Sequence, residues 1–312
     1  MPQRPHSERP GSGSPMSASP YEVLGVPPTA DEEQLRHAYR ALLRRTHPDT
    51  GGDAARFIAV QAAWERVGTP EARAAYDRGH GHADDARVSW APPAPAPRGS
   101  RPPARSHGHP GGWRRERYLA LLREWVGRGA EIPDPYDPAL VRAAPREIRH
   151  LLADAIAEER TAGILSGLGL GYTVWHDVAT DSSEQKIDHI VLGPTGLFAI
   201  LSEDYGGAVT VRRGELAGEA LTGARPMAEL AARARAFARR SRIRFTGLVI
   251  VLPDGALGRS PASLGTVRGA EAVAVARSDL AALLRRPASA GQIAGTELFD
   301  LRSRLQRGIR FA

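Results

Sequence analysis

The sequence predicts an all-α helical hairpin near the N-terminus and, over the C-terminal half, an α/β layer structure with a mixed sheet. Apolar residues recur at helical spacing up to about residue 78. A tract rich in proline, glycine and alanine then separates this part from the rest of the chain. After residue 172, short apolar runs indicate strands that lie between helical segments. At 312 residues the chain is long enough for each part to bury its own core.

The first helix of the hairpin is predicted to begin at a capping box formed by Thr29 and Glu32. Pro48 disfavours helical backbone at His47 and should end the helix there. One side of this helix is apolar and carries Leu35, Tyr39, Leu42 and Leu43. A second side is basic and carries Arg36, Arg40 and Arg44.

A second, antiparallel helix should follow a glycine-containing loop, with Asp53 as its cap. Its apolar face is formed by Phe57, Val60, Trp64 and Val67. Thr69, Pro70 and Glu71 mark the start of a further helix, because proline is favoured at the first helical position. Residues 20–26 form a short apolar turn that can pack on the hairpin.

Residues 19–78 resemble the J domain of the DnaJ family. The resemblance rests on the pattern Arg36-Tyr39-Arg40-Leu43, the tripeptide His47-Pro48-Asp49, the spacing of Phe57 and Trp64, and the ending Arg73-Tyr76-Asp77. In that family the hairpin docks on a DnaK-type chaperone and stimulates its ATP hydrolysis. The resemblance implies that His47, Pro48 and Asp49 act as the trigger. It implies a docking face made of Arg36, Arg40 and Arg44, with Arg45 beside them. The alternative is a solvated basic face next to an ordinary Pro-Asp turn.

The composition restricts the classes of site. The chain has no cysteine, which excludes disulfides, thiolate metal sites and the zinc-binding module of the longest DnaJ proteins. No apolar run reaches the length of a signal peptide or of a membrane span, so we expect a soluble cytoplasmic protein with no membrane partner. The net charge of +7 suits nucleic acid. Lysine occurs once, at Lys186, so the many arginines also fit a coding bias, and the charge is weak evidence.

The chain is predicted to have five segments. They are a disordered tail over 1–17, a J domain over 18–78, a Pro/Gly/His-rich linker over 79–112, a helical connector over 113–144 and an α/β domain over 145–312. Histidine pairs occur within residues 79–82 and 106–109. We do not expect them to hold a metal, because a flexible segment offers no supporting hydrogen bonds to its ligands.

The α/β domain should contain a long helix from about 145 to 168 and a second from about 226 to 240. Strands are predicted over 172–178, 187–192, 197–201, 208–212, 245–252 and 272–276, and further helices over 279–284 and 292–307.

The segment from Ile187 to Ile200 closely resembles the core of the nuclease-related domain, the NERD family, which has the restriction-endonuclease-like fold of the PD-(D/E)xK enzymes. In those enzymes two carboxylates bind magnesium and a lysine stabilises the phosphate charge. The resemblance implies that the helix with Glu158 and Glu159, of which we select Glu159, supplies a first acidic residue. It also implies that Asp188 is the strand aspartate and the metal-ligand candidate.

The family's Glu-x-Lys pair is missing, because Leu201-Ser202-Glu203 stands in its place. Two replacements are conceivable: Glu203 or Asp204 for the carboxylate, and Lys186 for the lysine. Otherwise Asp188 is a structural residue that hydrogen-bonds a backbone group or His189. Binding of DNA without cleavage would use arginines near two element ends, namely Arg212, Arg213, Arg239, Arg240, Arg242 and Arg244.

The sequence therefore predicts a J-domain co-chaperone that recruits a DnaK-type chaperone to an unknown client protein held by an inactive nuclease-like domain. No cofactor is expected in that case. The alternative is a magnesium-dependent DNA nuclease, or a DNA-binding protein, with an accessory J domain. Nucleic acid stays open as a partner.

Overall fold

The computed structural model describes residues 14–16, 18–27, 29–48, 51–79, 90–92, 102–127, 129–180, 186–221, 223–286, 293 and 295–312. The chain divides into two compact units. Unit A comprises Ser17–Ala91 and Pro133–Ala144, and unit B comprises Met1–Met16, Pro92–Ile132 and Pro145–Ala312. Within the described ranges, no helix combines the length and apolar character needed to span a bilayer.

The α-helices are α1 Pro20–Leu24, α2 Glu32–Thr46, α3 Ala54–Val67, α4 Pro70–Gly79, α5 Gly112–Val126, α6 Pro138–Ala143, α7 Arg146–Ser166, α8 Pro226–Ser241, α9 Leu280–Arg285 and α10 Gly295–Gly308. The strands are β1 Arg105–His107, β2 Thr173–Ala179, β3 Lys186–Gly193, β4 Gly196–Ser202, β5 Thr210–Arg212, β6 Glu215–Ala217, β7 Gly247–Leu252, β8 Ala262–Val267 and β9 Ala270–Ala276. Single 3₁₀ turns cover Glu219–Leu221 and Arg277–Asp279.

Unit A is built around the hairpin of α2 and α3. Leu35 of α2 and Val60 of α3 are almost completely buried, and the rings of Tyr39 and Trp64 stack with centroids 4.3 Å apart. The predicted cap of α2 is wrong. Asp31, and not Thr29, caps the helix, because its carboxylate accepts the Gln34 N–H while the Gln34 side chain accepts the Asp31 N–H.

Unit B contains a seven-stranded mixed sheet in the order β1-β2-β3-β4-β7-β9-β8. The strands β4, β7 and β9 are parallel, whereas β2, β3 and β4 are antiparallel neighbours. One apolar layer joins the sheet to α8 through Leu230 and Phe237. The other joins it to α7 and α9 through Leu165 and Leu280. This arrangement confirms the predicted fold class, an all-α hairpin followed by an α/β domain with a mixed sheet.

Two boundaries differ from the prediction. Residues 105–107, predicted as part of the linker, form the edge strand β1, in which Ser106 pairs with Val174 of β2 in parallel. Helix α5, predicted as part of a connector, packs on α7 and buries Tyr118 and Leu122 completely. Both segments therefore belong to unit B. The strands β6 and β8 were also not predicted.

Candidate functional site

The tripeptide of the predicted trigger lies where α2 ends. His47 is the C-cap, with extended backbone at φ −63° and ψ 127°, as the following proline requires. Its ring meets the Phe57 ring edge-on at 5.1 Å, which ties it to α3. Pro48 is exposed, and Asp49 lies outside the described residues.

The turn after the tripeptide is closed by backbone hydrogen bonds. Gly51 N–H donates to the Pro48 carbonyl and Gly52 N–H to the His47 carbonyl, both at 3.0 Å. A Cβ on Gly52 would lie 2.3 Å from the carbonyl carbon of Thr46. Only glycine therefore fits at position 52, and the close approach fixes how the chain leaves His47.

The basic stripe on α2 is solvent-exposed, as the sequence indicates. Arg36, Arg40 and Arg44 are all exposed, and so is Arg45. Arg36 forms an ion pair with Glu32 one turn earlier, an exposed pair of the kind that contributes little stability. The stripe is thus available to an acidic surface, because an exposed pair of this kind is exchanged for another at small cost.

In unit B, three carboxylates surround the ammonium group of Lys186. Lys186 Nζ lies 2.6 Å from Glu158 Oε2, 2.6 Å from Asp177 Oδ1 and 2.9 Å from Asp188 Oδ1. The lysine side chain is only 4% exposed, and the carboxylates are equally buried. The three acids come from α7, β2 and β3, so the fold brings them together from distant parts of the chain.

Asp177 contributes through an unusual backbone conformation. Its φ of 50° lies in the left-handed region, which is uncommon for a residue other than glycine inside a strand. Its other oxygen, Oδ2, accepts the Trp113 N–H at 3.3 Å. Asp177 therefore links β2 both to Lys186 and to the start of α5.

Arg114 is the second cation of this region and comes from the first turn of α5. Its guanidinium contacts Asp154 at 2.7 Å, Glu158 at 3.1 Å and Glu203 at 3.2 Å. Gly111 N–H also donates to Glu158 Oε2 at 3.1 Å. The segment from Gly111 to Arg114 thus covers the acidic side chains of unit B.

Of the site residues predicted in the α/β domain, the structure brings Lys186, Asp188 and Glu203 together but places Glu159 elsewhere. Lys186 and Asp188 are in direct contact, and Glu203 is joined to them through Arg114 and Glu158. Glu159, the residue selected from the sequence as the first acid, does not contact Lys186. It forms an ion pair with Arg115, whose Nη2 lies 2.8 Å from Glu159 Oε2, and Glu158 contacts Lys186 instead.

Asp188 also has a structural contact of the kind expected. Its Oδ2 accepts the backbone N–H of Ser202 at 2.8 Å, which ties β3 to β4. Leu201 is buried in the apolar layer shared with α8. The arginines suggested for DNA contact lie elsewhere in unit B; Arg239 and Arg240 occupy the last turn of α8, where cations are favoured by the helix dipole.

The pKa shifts divide the ionisable groups into those whose charged form is stabilised and those whose neutral form is stabilised. Burial raises the pKa of Glu158 well above its usual range, that of Asp154 to about 6 and that of Glu203 to about 8. Asp188 is also buried, but the charges of Lys186 and Arg114 outweigh burial and lower its pKa to about 2. The same carboxylates overcome burial at Lys186 and raise its pKa, so it is charged.

A chain of neutral side chains continues behind this cluster. His176 Nδ1 and His189 Nδ1 lie 2.8 Å apart, and the other ring nitrogens contact Ser106 Oγ and Ser202 Oγ. Burial lowers the pKa of both histidines to about 3, so they are uncharged at neutral pH. Sequence periodicity carries no signal for this pairing, since it does not show which residues of neighbouring strands lie opposite each other.

These residues do not fit a magnesium ion. The point where the carboxylates converge is taken by an ammonium group at distances typical of charge-assisted hydrogen bonds. Magnesium needs oxygen ligands at about 2.0–2.1 Å in near-octahedral geometry. Leu201, which stands where the resemblance implies a second strand carboxylate, supplies no oxygen ligand. The arrangement is therefore a closed ionic cluster that ties α5, α7, β2 and β3 together.

Family models match both parts of the chain. One, described as "DnaJ domain", matches residues 19–77, and another, described as "Nuclease-related domain", matches residues 153–251. The chain carries a DnaJ domain and a nuclease-related domain. The first contains the basic stripe and the tripeptide, and the second contains Lys186 and the three carboxylates that contact it.

Several curated relatives match a short segment of the chain. Chaperone protein dnaJ A6 of Oryza sativa subsp. japonica is 47% identical over 58 residues, which are 19% of this chain and 14% of the relative. Chaperone protein DnaJ of Agrobacterium fabrum is 46% identical over 67 residues, 20% and 18% of the two chains. That of Trichormus variabilis is 44% identical over 66 residues, again 20% and 18%. The matched segment thus spans less than a fifth of each relative.

Proposed function

We propose that this protein is a J-domain co-chaperone that recruits a DnaK-type chaperone and stimulates its ATP hydrolysis. The observation that carries the proposal is the pairing of an anchored His47-Pro48 turn with an exposed arginine stripe on the same helix. The similarity to DnaJ chaperones over residues 19–77 supports a DnaK-type partner. We place the protein in the cytoplasm with that partner.

Electrostatic attraction explains how the stripe would act. Arginines one turn apart on α2 present a row of guanidinium groups, each able to form a bidentate hydrogen-bonded pair with a carboxylate. Such a row accelerates encounter with an acidic groove and fixes its register. Binding should therefore weaken as salt is added, because exposed charges are screened over about 8–10 Å near physiological ionic strength.

The docking face can be tested with matched arginine variants. Arg40→Ala removes a cation from the stripe, whereas Arg66→Ala removes an exposed cation from α3 of the same unit. We expect Arg40→Ala to weaken stimulation of the chaperone's ATP hydrolysis and to reduce its salt dependence, and Arg66→Ala to change neither. Equal effects of the two variants would contradict a docking role for the stripe.

The nuclease-related domain is proposed to hold a client or target without cutting nucleic acid. The contacts of Lys186 with three carboxylates support inactivity, since they leave no lysine to face a phosphate. The chain between the two domains would then keep the recruited chaperone at high local concentration near the client.

A magnesium-dependent nuclease is the second candidate, favoured by the match of residues 153–251 to a nuclease-related domain. The two readings differ in a plasmid assay with the full chain. The co-chaperone proposal expects no nicking with Mg²⁺ or Mn²⁺. Metal-dependent nicking that disappears in Asp188→Ala would establish the nuclease instead, and salt-sensitive binding without nicking would establish a DNA-binding domain.

A further inference from the structure

Two arginines of unit B lie at the edge of the sheet where the parallel strands β4, β7 and β9 end. Arg277 is the first residue after β9, and Arg160 belongs to the second half of α7. We propose that these two guanidinium groups bind a phosphate dianion, either inorganic phosphate or the phosphate of a small phosphomonoester. The site is separate from the Lys186 contacts, and the inference goes beyond the proposed co-chaperone function.

The strand register and the position of α7 bring the two arginines to the same edge of the sheet. The last residue of β9, Ala276, pairs with the last residue of β7, so Arg277 leaves the sheet beside the loop that follows β7. Helix α7 reaches this edge as well, because Ser202 Oγ at the end of β4 donates to Thr161 Oγ1 at 3.0 Å. Arg160 directly precedes Thr161. In open α/β sheets, ligands bind outside the carboxyl ends of the parallel strands, which is where this edge lies.

The Arg277 side chain lacks a partner. Its Nε is inaccessible to solvent and has no hydrogen-bond partner within the described part of the chain. Among the residues that the structure describes, no carboxylate forms an ion pair with Arg277, and none forms an ion pair with Arg160. A buried polar atom of this kind is usually satisfied by water or by an ion, because leaving it unpaired is costly. We therefore expect Arg277 to take an anion from outside the chain.

The charges of the surrounding side chains do not compensate the guanidinium of Arg277. Burial and the positive charge of Arg160 lower the pKa of Arg277. Asp204 and Asp254 act in the opposite direction but do not offset these two effects. Both aspartates already accept a backbone N–H at 2.9 Å. An anion between the two guanidinium groups would replace their mutual repulsion with charge-assisted hydrogen bonds.

The pair of cations selects the class of anion. Each guanidinium presents its N–H donors as a planar fork, which matches the oxygens of a phosphate or a carboxylate. A phosphomonoester carries about −1.5 to −2 charges at neutral pH, which balances two guanidinium groups. A carboxylate carries a single charge, and so does each phosphodiester of a nucleic acid. Arg160 is exposed, so a small phosphate can reach the pair from solvent.

The test uses the full chain, dialysed to remove phosphate and titrated in a calorimeter at constant ionic strength. The probes are sodium phosphate, glycerol phosphate and a duplex oligonucleotide without terminal phosphates. Arg277→Gln and Arg160→Gln each remove one guanidinium of the pair. The matched control is Arg235→Gln, which removes an exposed arginine from α8. Thermal unfolding with sodium phosphate, compared with sodium chloride at the same ionic strength, gives a second readout.

We expect one equivalent of phosphate or glycerol phosphate to bind to the wild type and the control, and the tighter of the two identifies the source of the group. Each variant of the pair should bind at least about 10-fold more weakly and lose the rise in unfolding temperature, because it loses charge-assisted hydrogen bonds. Arg277→Gln should fold without ligand, since an uncharged side chain is less costly to bury. The proposal would be overturned if neither small probe binds, if both variants bind normally, or if the control is weakened equally. Tighter binding of the duplex through the same two arginines would also overturn it.

Discussion

Replacing Lys186 with methionine is the most informative change in the nuclease-related domain. The substitution keeps an apolar chain of similar length but removes the ammonium that three carboxylates contact at 2.6–2.9 Å. Because the side chain is 4% exposed, water cannot replace the lost cation without opening the fold. Breaking a buried ion pair by removing one partner costs about 3–5 kcal/mol.

That cost has a measurable thermal consequence. For a domain of roughly 150–250 residues, 1 kcal/mol shifts the unfolding temperature by about 2–4 °C, so Lys186→Met should lower it by about 6–20 °C. Scanning calorimetry of the full chain measures this shift. Arg235→Met removes an exposed cation from α8 and should leave the transition within about 0.5 kcal/mol of the wild type.

A double variant separates loss of charge from loss of packing. Adding Glu158→Gln to Lys186→Met removes one of the carboxylates that the single variant leaves without a counter-charge. The double variant should therefore be more stable than Lys186→Met alone. If Lys186→Met unfolds at the wild-type temperature, the ammonium is not the central counter-charge and the reasoning is refuted.

Two further predictions concern pH and the turn after the tripeptide. Burial raises the pKa of Glu203 from 4.5 to about 8. Between these pH values the folded state holds a proton that the unfolded state has lost. The contribution of Glu203 to the free energy of unfolding therefore falls as the pH rises from about 4.5 to 8. Glu203→Gln should therefore flatten that part of the stability profile in urea titrations at several pH values, and an unchanged profile would contradict the assignment. Gly52→Ala places a Cβ 2.3 Å from the Thr46 carbonyl carbon. It should therefore destabilise the DnaJ domain by more than about 1 kcal/mol and impair stimulation of the chaperone. The control is Gly51→Ala, which has no atom within 4 Å of the new Cβ and tests only the strain of a positive φ. Equal stability of Gly52→Ala and wild type would show that the turn can relax.

Much of the fold could be predicted because it depends on local patterns. The strands β2, β3, β4 and β7 are short apolar runs, and the hairpin of α2 and α3 shows a clear helical period. The edge strand β1 was missed because Arg105, Ser106 and His107 are polar and follow a tract rich in proline and glycine. The helix α2 began two residues later than predicted, since Asp31 competes with Thr29 for the cap.

The acidic cluster could be predicted only in part. Sequence proximity placed Lys186 beside Asp188, and the contact is real. Arg114 and Glu203 are 89 positions apart, and no local pattern relates them. The choice between Glu158 and Glu159 depends on which side of α7 faces the sheet, and both candidates are compatible with the helical period. Asp177 enters the cluster through a left-handed backbone that the sequence did not indicate.

The segment that begins α5 bears on the nuclease-related domain's function. It donates hydrogen bonds and a positive charge to acidic side chains that a catalytic ion would otherwise bind. The donors are the backbone N–H groups of Gly111 and Trp113 and the Arg114 guanidinium. Together with the Lys186 contacts, they support the proposal that the nuclease-related domain binds a target without cutting it.

Stimulation of ATP hydrolysis tests the co-chaperone role most directly. The steady-state rate of the host's DnaK-type chaperone would be measured alone, with the full chain, and with its His47→Gln variant at equal concentration. We expect the wild type to raise the rate and His47→Gln to leave it at the basal value while circular dichroism shows an intact fold. No stimulation by the wild type, or equal stimulation by His47→Gln, would contradict the proposed function.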